Sequence, residues 1–178
     1  MIELMILGFL AEGPLHGYEL RRRMERLHGH ARRISDGTVY PAIKRLVAAG
    51  YLVEQADTGT GRVPRKTLFL TDAGRGRLET LLREADGQSI THMSSFFVVL
   101  AFLSHLPDEN DRRAVLQRRL DYLEKPSSFF FDGDEPLTSA TVGDPYRRGI
   151  FLTARAASTA QRTWLREMLG TDGDTEKE

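Results

Sequence analysis

Three helical patterns followed directly by two short strand patterns fill the first half of this chain of 178 residues. Apolar periodicity predicts helices over residues 2–12, 16–28 and 35–49, strands over 51–55 and 66–70, and a fourth helix that begins at Thr71. This element order is that of a winged helix-turn-helix, in which the third helix enters a DNA major groove about 12 Å wide. Residues 1–86 are therefore predicted to be a winged-helix domain that binds double-stranded DNA.

The third predicted helix has an apolar face and a polar face. The apolar side chains recur at helical spacing and are expected to face the core: Val39, Ile43, Leu46 and Val47. The opposite face carries four side chains that can contact DNA: Thr38, Tyr40, Lys44 and Arg45. The two cations can pair with phosphate or guanine edges, and the two hydroxyls can donate hydrogen bonds or touch a thymine methyl.

Two residues near the start of this helix are expected to have special roles. Ser35 is expected to cap the helix by accepting a backbone N–H through its hydroxyl. Pro41 lies beyond the first turn, where proline removes a hydrogen bond of the helical ladder and is expected to bend the helix. Such a departure from a local rule indicates a function or a special packing need.

The hairpin after the third helix is expected to form a wing, residues 56–66, beside the recognition helix. Its tip carries Arg62, Arg65 and Lys66, with no acidic residue between them. These cations can reach phosphates or the minor groove. A basic helix face alone is more often only solvated, but a basic third helix together with a basic hairpin tip favours DNA binding.

The overall charge is balanced, because 25 Lys and Arg residues oppose 25 Asp and Glu residues. Residues 1–86 hold 14 Lys or Arg against 11 Asp or Glu, which supports nucleic-acid binding only weakly. The chain has no cysteine, which excludes thiol catalysis, disulfides and Cys-ligated metals and favours a cytoplasmic protein. The longest apolar run, Phe96–Leu103, has 8 residues, too few to cross a bilayer, so no membrane association is predicted.

Four motifs give the first half of the chain a family resemblance. They are HGYEL at 16–20, ISDGTVYPAIKRL at 34–46, Gly50-Tyr51-Leu52, and GRVPRKTLFLTDAGR at 61–75. Together they resemble the PadR family of bacterial transcriptional regulators over about residues 2–84. The resemblance implies a repressor that binds a palindromic operator as a homodimer.

Carried over by position, the resemblance also implies which side chains contact DNA. In the recognition helix they are Ser35, Thr38, Tyr40, Lys44 and Arg45, and in the wing they are Arg62, Arg65 and Lys66. Tyr18 matches within its His-Gly-Tyr motif, and a buried position on the inner stripe of the second helix is the alternative for it. Where the second wing strand of the family often carries tyrosine pairs, this chain has Leu68-Phe69.

The second half, residues 87–170, is predicted to be a helical dimerisation domain, and residues 171–178 a disordered tail. Helices are expected over 88–105, 108–124 and 146–169, with a long loop over 125–145. A heptad-like stripe on the last helix is expected to hold a second copy of the chain: Ile150, Ala154, Ala157, Trp164 and Met168. The alternative is that this stripe packs against the chain's own helices. The predicted fold is thus mostly α with a small β-hairpin: an N-terminal winged helix-turn-helix followed by an α-helical C-terminal dimerisation domain.

The resemblance further implies that a small aromatic or drug-like effector is sensed. The candidate pocket residues are Phe96, Phe97, Phe130, Tyr146 and Trp164, although core packing is the preferred interpretation of these aromatics. No motif for catalysis, a metal or a cofactor emerges, so we predict a protein that is not an enzyme and needs no cofactor. A winged-helix protein-interaction module without sequence-specific DNA binding is the alternative function.

Overall fold

The computed structural model describes residues 1–29, 34–56, 66–125, 128 and 130–170. Its elements, in chain order, are α1 (Ile2–Glu12), β1 (Leu15–His16), α2 (Gly17–His28), α3 (Asp36–Ala48), β2 (Leu52–Ala56), β3 (Lys66–Leu70), α4 (Asp72–Arg83), α5 (Gln88–Thr91), α6 (Met93–Phe102), α7 (Glu109–Glu124), β4 (Phe131–Asp132), β5 (Glu135–Pro136) and α8 (Pro145–Leu169). The predicted fold class is confirmed: the protein is mostly helical, with a small antiparallel sheet in its winged-helix part.

The chain divides into two compact units, Met1–Val115 and Leu116–Glu178, and the division falls within α7. The predicted boundary after residue 86 lies inside the first unit, so the extent of independently folding domains stays a prediction. The tail predicted to be disordered, residues 171–178, lies outside the described residues. Of the helices that the structure describes, none combines the length and the apolar character that a membrane span requires.

The first helix, α1, is the central helix of the first unit. Its buried side chains lie around most of its circumference: Leu4, Met5, Ile6, Leu7 and Leu10. The helix contacts α2, α3, α4, α6 and β3, as expected for a segment that is apolar almost all round. Gly8 allows α6 to pack closely, since a Cβ atom at Gly8 would lie 2.4 Å from the ring of Phe102.

A three-stranded antiparallel sheet belongs to the first unit, in the order β1-β3-β2. β2 and β3 pair over their whole length, which confirms the predicted hairpin. The sequence does not predict β1, because two residues are too few to show a periodic pattern. β1 pairs Leu15 with Leu68 and His16 with Thr67, and thereby ties the start of α2 to the sheet.

The third helix buries most of its predicted apolar face. Val39, Ile43 and Leu46 are buried, and Ala42 joins them between the first two. Val47 is only half-buried, because it lies at the edge of this face. The core therefore fixes which side of α3 turns outward.

The expected capping contact at the start of α3 is wrong. Ser35 occupies the N-cap position, but its side chain accepts no hydrogen bond from a backbone N–H. Its hydroxyl oxygen instead lies 2.9 Å from the hydroxyl oxygen of Thr38. A second hydroxyl at the third helical position thus competes for the serine side chain, and only the Ser35 carbonyl accepts from the N–H groups of Thr38 and Val39.

Pro41 lies inside α3, which runs without interruption from Asp36 to Ala48. Proline removes the hydrogen bond to the carbonyl four residues earlier, and that residue is the exposed Gly37. The missing bond therefore falls on the solvent side of the helix, where water can bind the free carbonyl.

Thr71 and Gly74 fix the start of α4. The Thr71 hydroxyl accepts a hydrogen bond from the Gly74 N–H at 3.0 Å and donates one to the Gly50 carbonyl at 2.7 Å. The Thr71 N–H donates to the Tyr51 carbonyl at 3.1 Å. Gly74 lies so close to the same carbonyl that a Cβ atom at position 74 would come within 2.1 Å of its oxygen.

The prediction of one helix over residues 88–105 is wrong. The structure has α5, α6 and a 3-10 turn at Leu103–His105, and His92 between the two α-helices has an extended backbone with φ −86° and ψ 125°. Phe102 at the end of α6 is buried, and its ring centroid lies 5.0 Å from that of Phe9. Residues 88–95 around the break are mostly polar, and the apolar run that suggested one long helix, Phe96–Leu103, begins only after His92.

The second unit is built differently from its sequence-based description. A hairpin, β4 and β5, lies within the predicted loop over 125–145. The buried residues of α8 are Leu165 and Leu169, which do not belong to the predicted heptad-like stripe. The Gln161 side-chain carbonyl accepts two hydrogen bonds from Arg119 of α7, at 2.6 and 3.1 Å. Burial lowers the pKa of Arg119 below its ordinary value.

Candidate nucleic-acid interface

One face of α3, here named the outward face, is turned away from the core. It consists of Gly37, Pro41, Lys44 and Ala48, which follow helical spacing and are all exposed. No ion pair joins Lys44 to a residue that the structure describes. Because its neighbours on this face have short side chains, another molecule can approach the α3 backbone closely around Lys44.

The remaining predicted contacts of α3 lie at its start and on its two flanks. Tyr40 stands on the flank nearer α2, and its ring packs over Gly17, where a Cβ atom would lie 3.1 Å from the ring. The opposite flank holds Thr38 and Arg45, and Arg45 borders a small cavity of about 270 Å³. Together with Ser35 at the N-cap, all of these side chains are exposed.

An ion pair also lines the small cavity beside Arg45. Nε of Arg77 donates to a carboxylate oxygen of Glu3 at 2.8 Å, and ties α4 to α1. This hydrogen bond raises the pKa of Arg77 above its ordinary value. The acidic residue that lines this cavity is therefore already paired, and Arg45 forms no ion pair with a described residue.

Tyr18 is exposed, so the alternative that it is buried on the inner stripe of α2 is wrong. Its exposed fraction is 59%, whereas Leu20 and Met24 of the same helix are fully buried. The guanidinium carbons of Arg21 and Arg22 lie 5.6 and 5.8 Å from the centroid of its ring. The side chain therefore lies on the outer surface of the helix, among cations.

A groove of about 1030 Å³ lies between α2 and the β2–β3 hairpin, and is named here the α2–hairpin groove. Its lining residues are His16, Gly17, Tyr18, Glu19, Arg22, Arg23, Arg26, Tyr40, Ile43, Glu54, Lys66 and Leu68. Three predicted DNA contacts, from α2, α3 and the hairpin, meet here. Arg22 and Arg26 are not among the DNA contacts predicted from the sequence; the signal for them is their spacing of four and eight residues from Tyr18.

The hairpin is less basic than its linear sequence indicates. Lys66 Nζ lies 2.6 Å from a carboxylate oxygen of Glu54 on the facing strand. Antiparallel pairing of β2 and β3 brings these two residues together. Because Glu54 lies twelve residues before Lys66, the sequence of the tip alone does not reveal this acidic partner. Arg62 and Arg65, the other predicted wing contacts, lie outside the described residues.

The predicted dimerisation residues of α8 remain partly uncovered in the single chain. Ile150, Trp164 and Met168 are exposed, while Ala154 and Ala157 are half-buried. Large apolar side chains thus stay in contact with solvent along this helix.

The predicted effector residues have different environments. Phe96 is a core residue with 1% exposure, Phe97 is exposed, and Tyr146 has 85% of its surface exposed. Phe130 is half-buried, and Trp164 is exposed. None of the five lines either of the two cavities described above. Within the described part of the chain, no three His, Asp or Glu side chains gather as metal ligands.

The winged-helix part of the sequence matches a known family. Residues 6–80 match the model of the transcriptional regulator PadR-like family. Over 98 residues the chain is 39% identical to transcriptional regulator Rv3488 of Mycobacterium tuberculosis, a match that covers 51% of this chain and 88% of that protein. The chain belongs to the PadR-like family of transcriptional regulators.

Two further proteins are similar to this PadR-like chain. An uncharacterised 37.1 kDa protein in transposon TN4556 of Streptomyces fradiae is 36% identical over 107 residues, which cover 60% of this chain but only 27% of that protein. Bacillus subtilis PadR, in a crystal structure with operator DNA, has 19% identity and a TM-score of 0.45, with 94% of this chain and 96% of that chain covered.

The structure explains several positions of the PadR-like motifs physically. Gly17 of the His-Gly-Tyr motif makes room for the Tyr40 ring. Thr71 caps α4, and Gly74 allows the close contact of α4 with the Tyr51 carbonyl. The motifs thus combine residues that build the PadR-like fold with two exposed tyrosines, Tyr18 and Tyr40.

Proposed function

We propose that this PadR-like regulator represses transcription by binding a palindromic operator as a homodimer, through the recognition helix at residues 35–49 and the wing at 56–66. The observation that carries the proposal is the outward face of α3, where the exposed Lys44 lies among short side chains on a helix whose other side is fixed in the core. Such a helix fits a major groove and can bring its cation to a phosphate or a guanine edge.

The other contacts in this proposal surround Lys44. Within the recognition helix they are Ser35, Thr38, Tyr40 and Arg45. Tyr18 and the wing cations Arg62, Arg65 and Lys66 are proposed to contact the sugar-phosphate backbone. The described members of this set are all exposed, which supports their assignment.

A second copy of the chain is part of the proposal, because a single winged helix makes too few contacts for selective binding at physiological salt. The surface we propose for it is the exposed apolar part of α8, with Ile150, Trp164 and Met168. Twofold symmetry of the protein then requires two inverted half-sites about 34 Å apart, one turn of the duplex. Release of the operator by a small aromatic effector stays a prediction.

Selection of bound fragments from a random double-stranded DNA library tests this function. We expect an enriched inverted repeat, a solution mass twice the 20.1 kDa of the chain, and reduced expression of a reporter gene placed behind the repeat. Enrichment of no sequence at low salt would contradict DNA recognition and favour a protein-interaction module. A single asymmetric site, or activation of the reporter, would contradict the dimeric repressor.

Replacing Glu54 by glutamine is expected to tighten DNA binding about fivefold, the upper value for an exposed ion pair. In the free protein the Glu54 carboxylate forms an ion pair with the Lys66 ammonium at 2.6 Å. It also places a negative charge in the α2–hairpin groove. Without this pair, Lys66 can contact its phosphate with no ion pair to break, so the affinity should rise, while the logarithmic dependence of affinity on salt should stay the same because the number of neutralised phosphates does not change. Fluorescence anisotropy titrations at several salt concentrations measure both quantities.

The control for this variant is Glu84→Gln, which removes the same charge from an exposed position at the end of α4, outside the groove. This control should bind DNA as the unmodified chain does. Unchanged or weaker binding by the Glu54→Gln protein would show that Lys66 is not a DNA contact.

A further inference from the structure

A row of exposed side chains on α2 lines the α2–hairpin groove. Tyr18, Arg22 and Arg26 follow one another at intervals of four residues, so they lie along one side of the helix, about 6 Å apart in axial rise. The two arginines are not among the DNA contacts proposed above, although they line the same groove as Tyr40 and Lys66. Their position therefore needs its own explanation.

The uncompensated charge of the groove comes from these two arginines. The two acidic residues of the groove are already paired, Glu19 with Arg23 at 2.8 Å and Glu54 with Lys66 at 2.6 Å. The arginines of the row form no ion pair with any described residue. Their charges are therefore available to an anion that enters the groove.

The arrangement of the groove suits a linear polyanion. Each strand of a DNA duplex presents one charge about every 3.4 Å along the duplex axis, so two cations about 6 Å apart can each reach a different phosphate of one strand. Tyr40 lines the groove and also stands on a flank of α3, next to the outward face. The groove thus lies directly beside the surface that is proposed to enter the major groove.

We propose that Arg22 and Arg26 bind phosphates of one operator strand, whose backbone lies in the α2–hairpin groove while α3 occupies the neighbouring major groove. This inference rests on the proposed function and adds a phosphate-binding row on α2 to it. The guanidinium group suits this role, because its planar fork of donors matches phosphate oxygens. Such contacts position the protein on the duplex and carry no sequence information themselves.

Anisotropy titrations of the full chain with the selected duplex, over a range of salt concentrations, test the assignment. Arg22→Ala and Arg26→Ala are each expected to weaken binding about three- to fivefold, as for exposed ion pairs. Each should also lower the magnitude of the salt slope by about 0.9, and the double variant by about twice that value. The same losses are expected on an unrelated duplex, because phosphates are common to all sequences.

The matched control is Arg75→Ala, which removes an exposed arginine of α4 that does not line the groove. It should leave affinity and slope unchanged. The melting temperatures of all variants should equal that of the unmodified chain, since the replaced side chains are exposed. Neutral methylphosphonates placed one at a time along the duplex should locate the contact. When the phosphate that an arginine contacts is already neutral, replacing that arginine should reduce the affinity much less than it does on the unsubstituted duplex.

Two results would overturn the assignment, and they have different meanings. If both arginine variants keep the full salt slope while Lys44→Ala weakens binding, the phosphate row on α2 is wrong and the proposed function stands. If the unmodified chain binds no duplex at low salt, the proposed function fails and the inference fails with it.

Discussion

Replacing Gly74 by alanine is expected to lower the free energy of unfolding by about 3 kcal/mol, the upper range for an overpacked site. The added Cβ atom would lie 2.1 Å from the carbonyl oxygen of Tyr51 and 2.6 Å from a methyl carbon of Leu70. The carbonyl oxygen cannot move away without breaking the hydrogen bond that it accepts from the Thr71 N–H at 3.1 Å. Relief of the clash therefore requires α4 to move away from the hairpin.

Gly76 offers a matched control for this prediction, since it lies two residues further along α4, is exposed, and has no atom within 4 Å of an added Cβ. Alanine there should stabilise the protein by about 0.5–1 kcal/mol, because glycine is a poor helix former. For a chain of this length about 1 kcal/mol shifts Tm by 2–4 °C, so urea and thermal unfolding should separate the two variants clearly. Equal stability of the two alanine variants would contradict the close contact at Gly74.

Replacing Lys44 by alanine is expected to weaken operator binding about tenfold to hundredfold, which corresponds to the loss of about 1–3 kcal/mol for a side chain that contacts DNA. Lys44 contributes the charge of the outward face of α3, and no described carboxylate shares it. The variant should fold normally, since the side chain is exposed. Titrations on the selected duplex and on single-base variants of it measure the effect.

The pattern of the loss identifies what Lys44 touches. A phosphate contact predicts weaker binding to all duplexes and a salt slope smaller by about 0.9, whereas a base contact predicts relaxed specificity at one position. Arg75→Ala is again the control for the loss of one positive charge. If Lys44→Ala retains full affinity and full specificity, α3 is not the recognition helix.

The organisation of α3 could be predicted in advance because it is local. Its apolar side chains recur at helical spacing, and burial of Val39, Ile43 and Leu46 follows from that period alone. Once that side is fixed in the core, Lys44 must project outward. The β2–β3 hairpin was predictable for the same reason, since strand periodicity and the turn between the strands are both encoded within a few residues.

The errors have no single origin. Tyr18 lies two residues before Leu20, which places it on the opposite side of α2 from the buried Leu20 and Met24, so the helical period itself argues against the buried alternative. The hydroxyl of Ser35 bonds Thr38 instead of a backbone N–H. The break at His92 lies in a mostly polar segment, before the apolar run Phe96–Leu103 on which the prediction of one long helix depended.

The periodicity of α3 and of the hairpin strands, and the apolar character of α1, are properties of neighbouring residues, so the amino-acid sequence alone was sufficient to predict the winged-helix arrangement and the outward position of Lys44. The resemblance of four motifs indicated the family. The pairing of Glu54 with Lys66, the contact of Gly74 with the Tyr51 carbonyl, and the α2–hairpin groove were decided only in three dimensions. The physical reason is that charge compensation and close packing depend on which distant segments face each other. Linear order does not specify those distances.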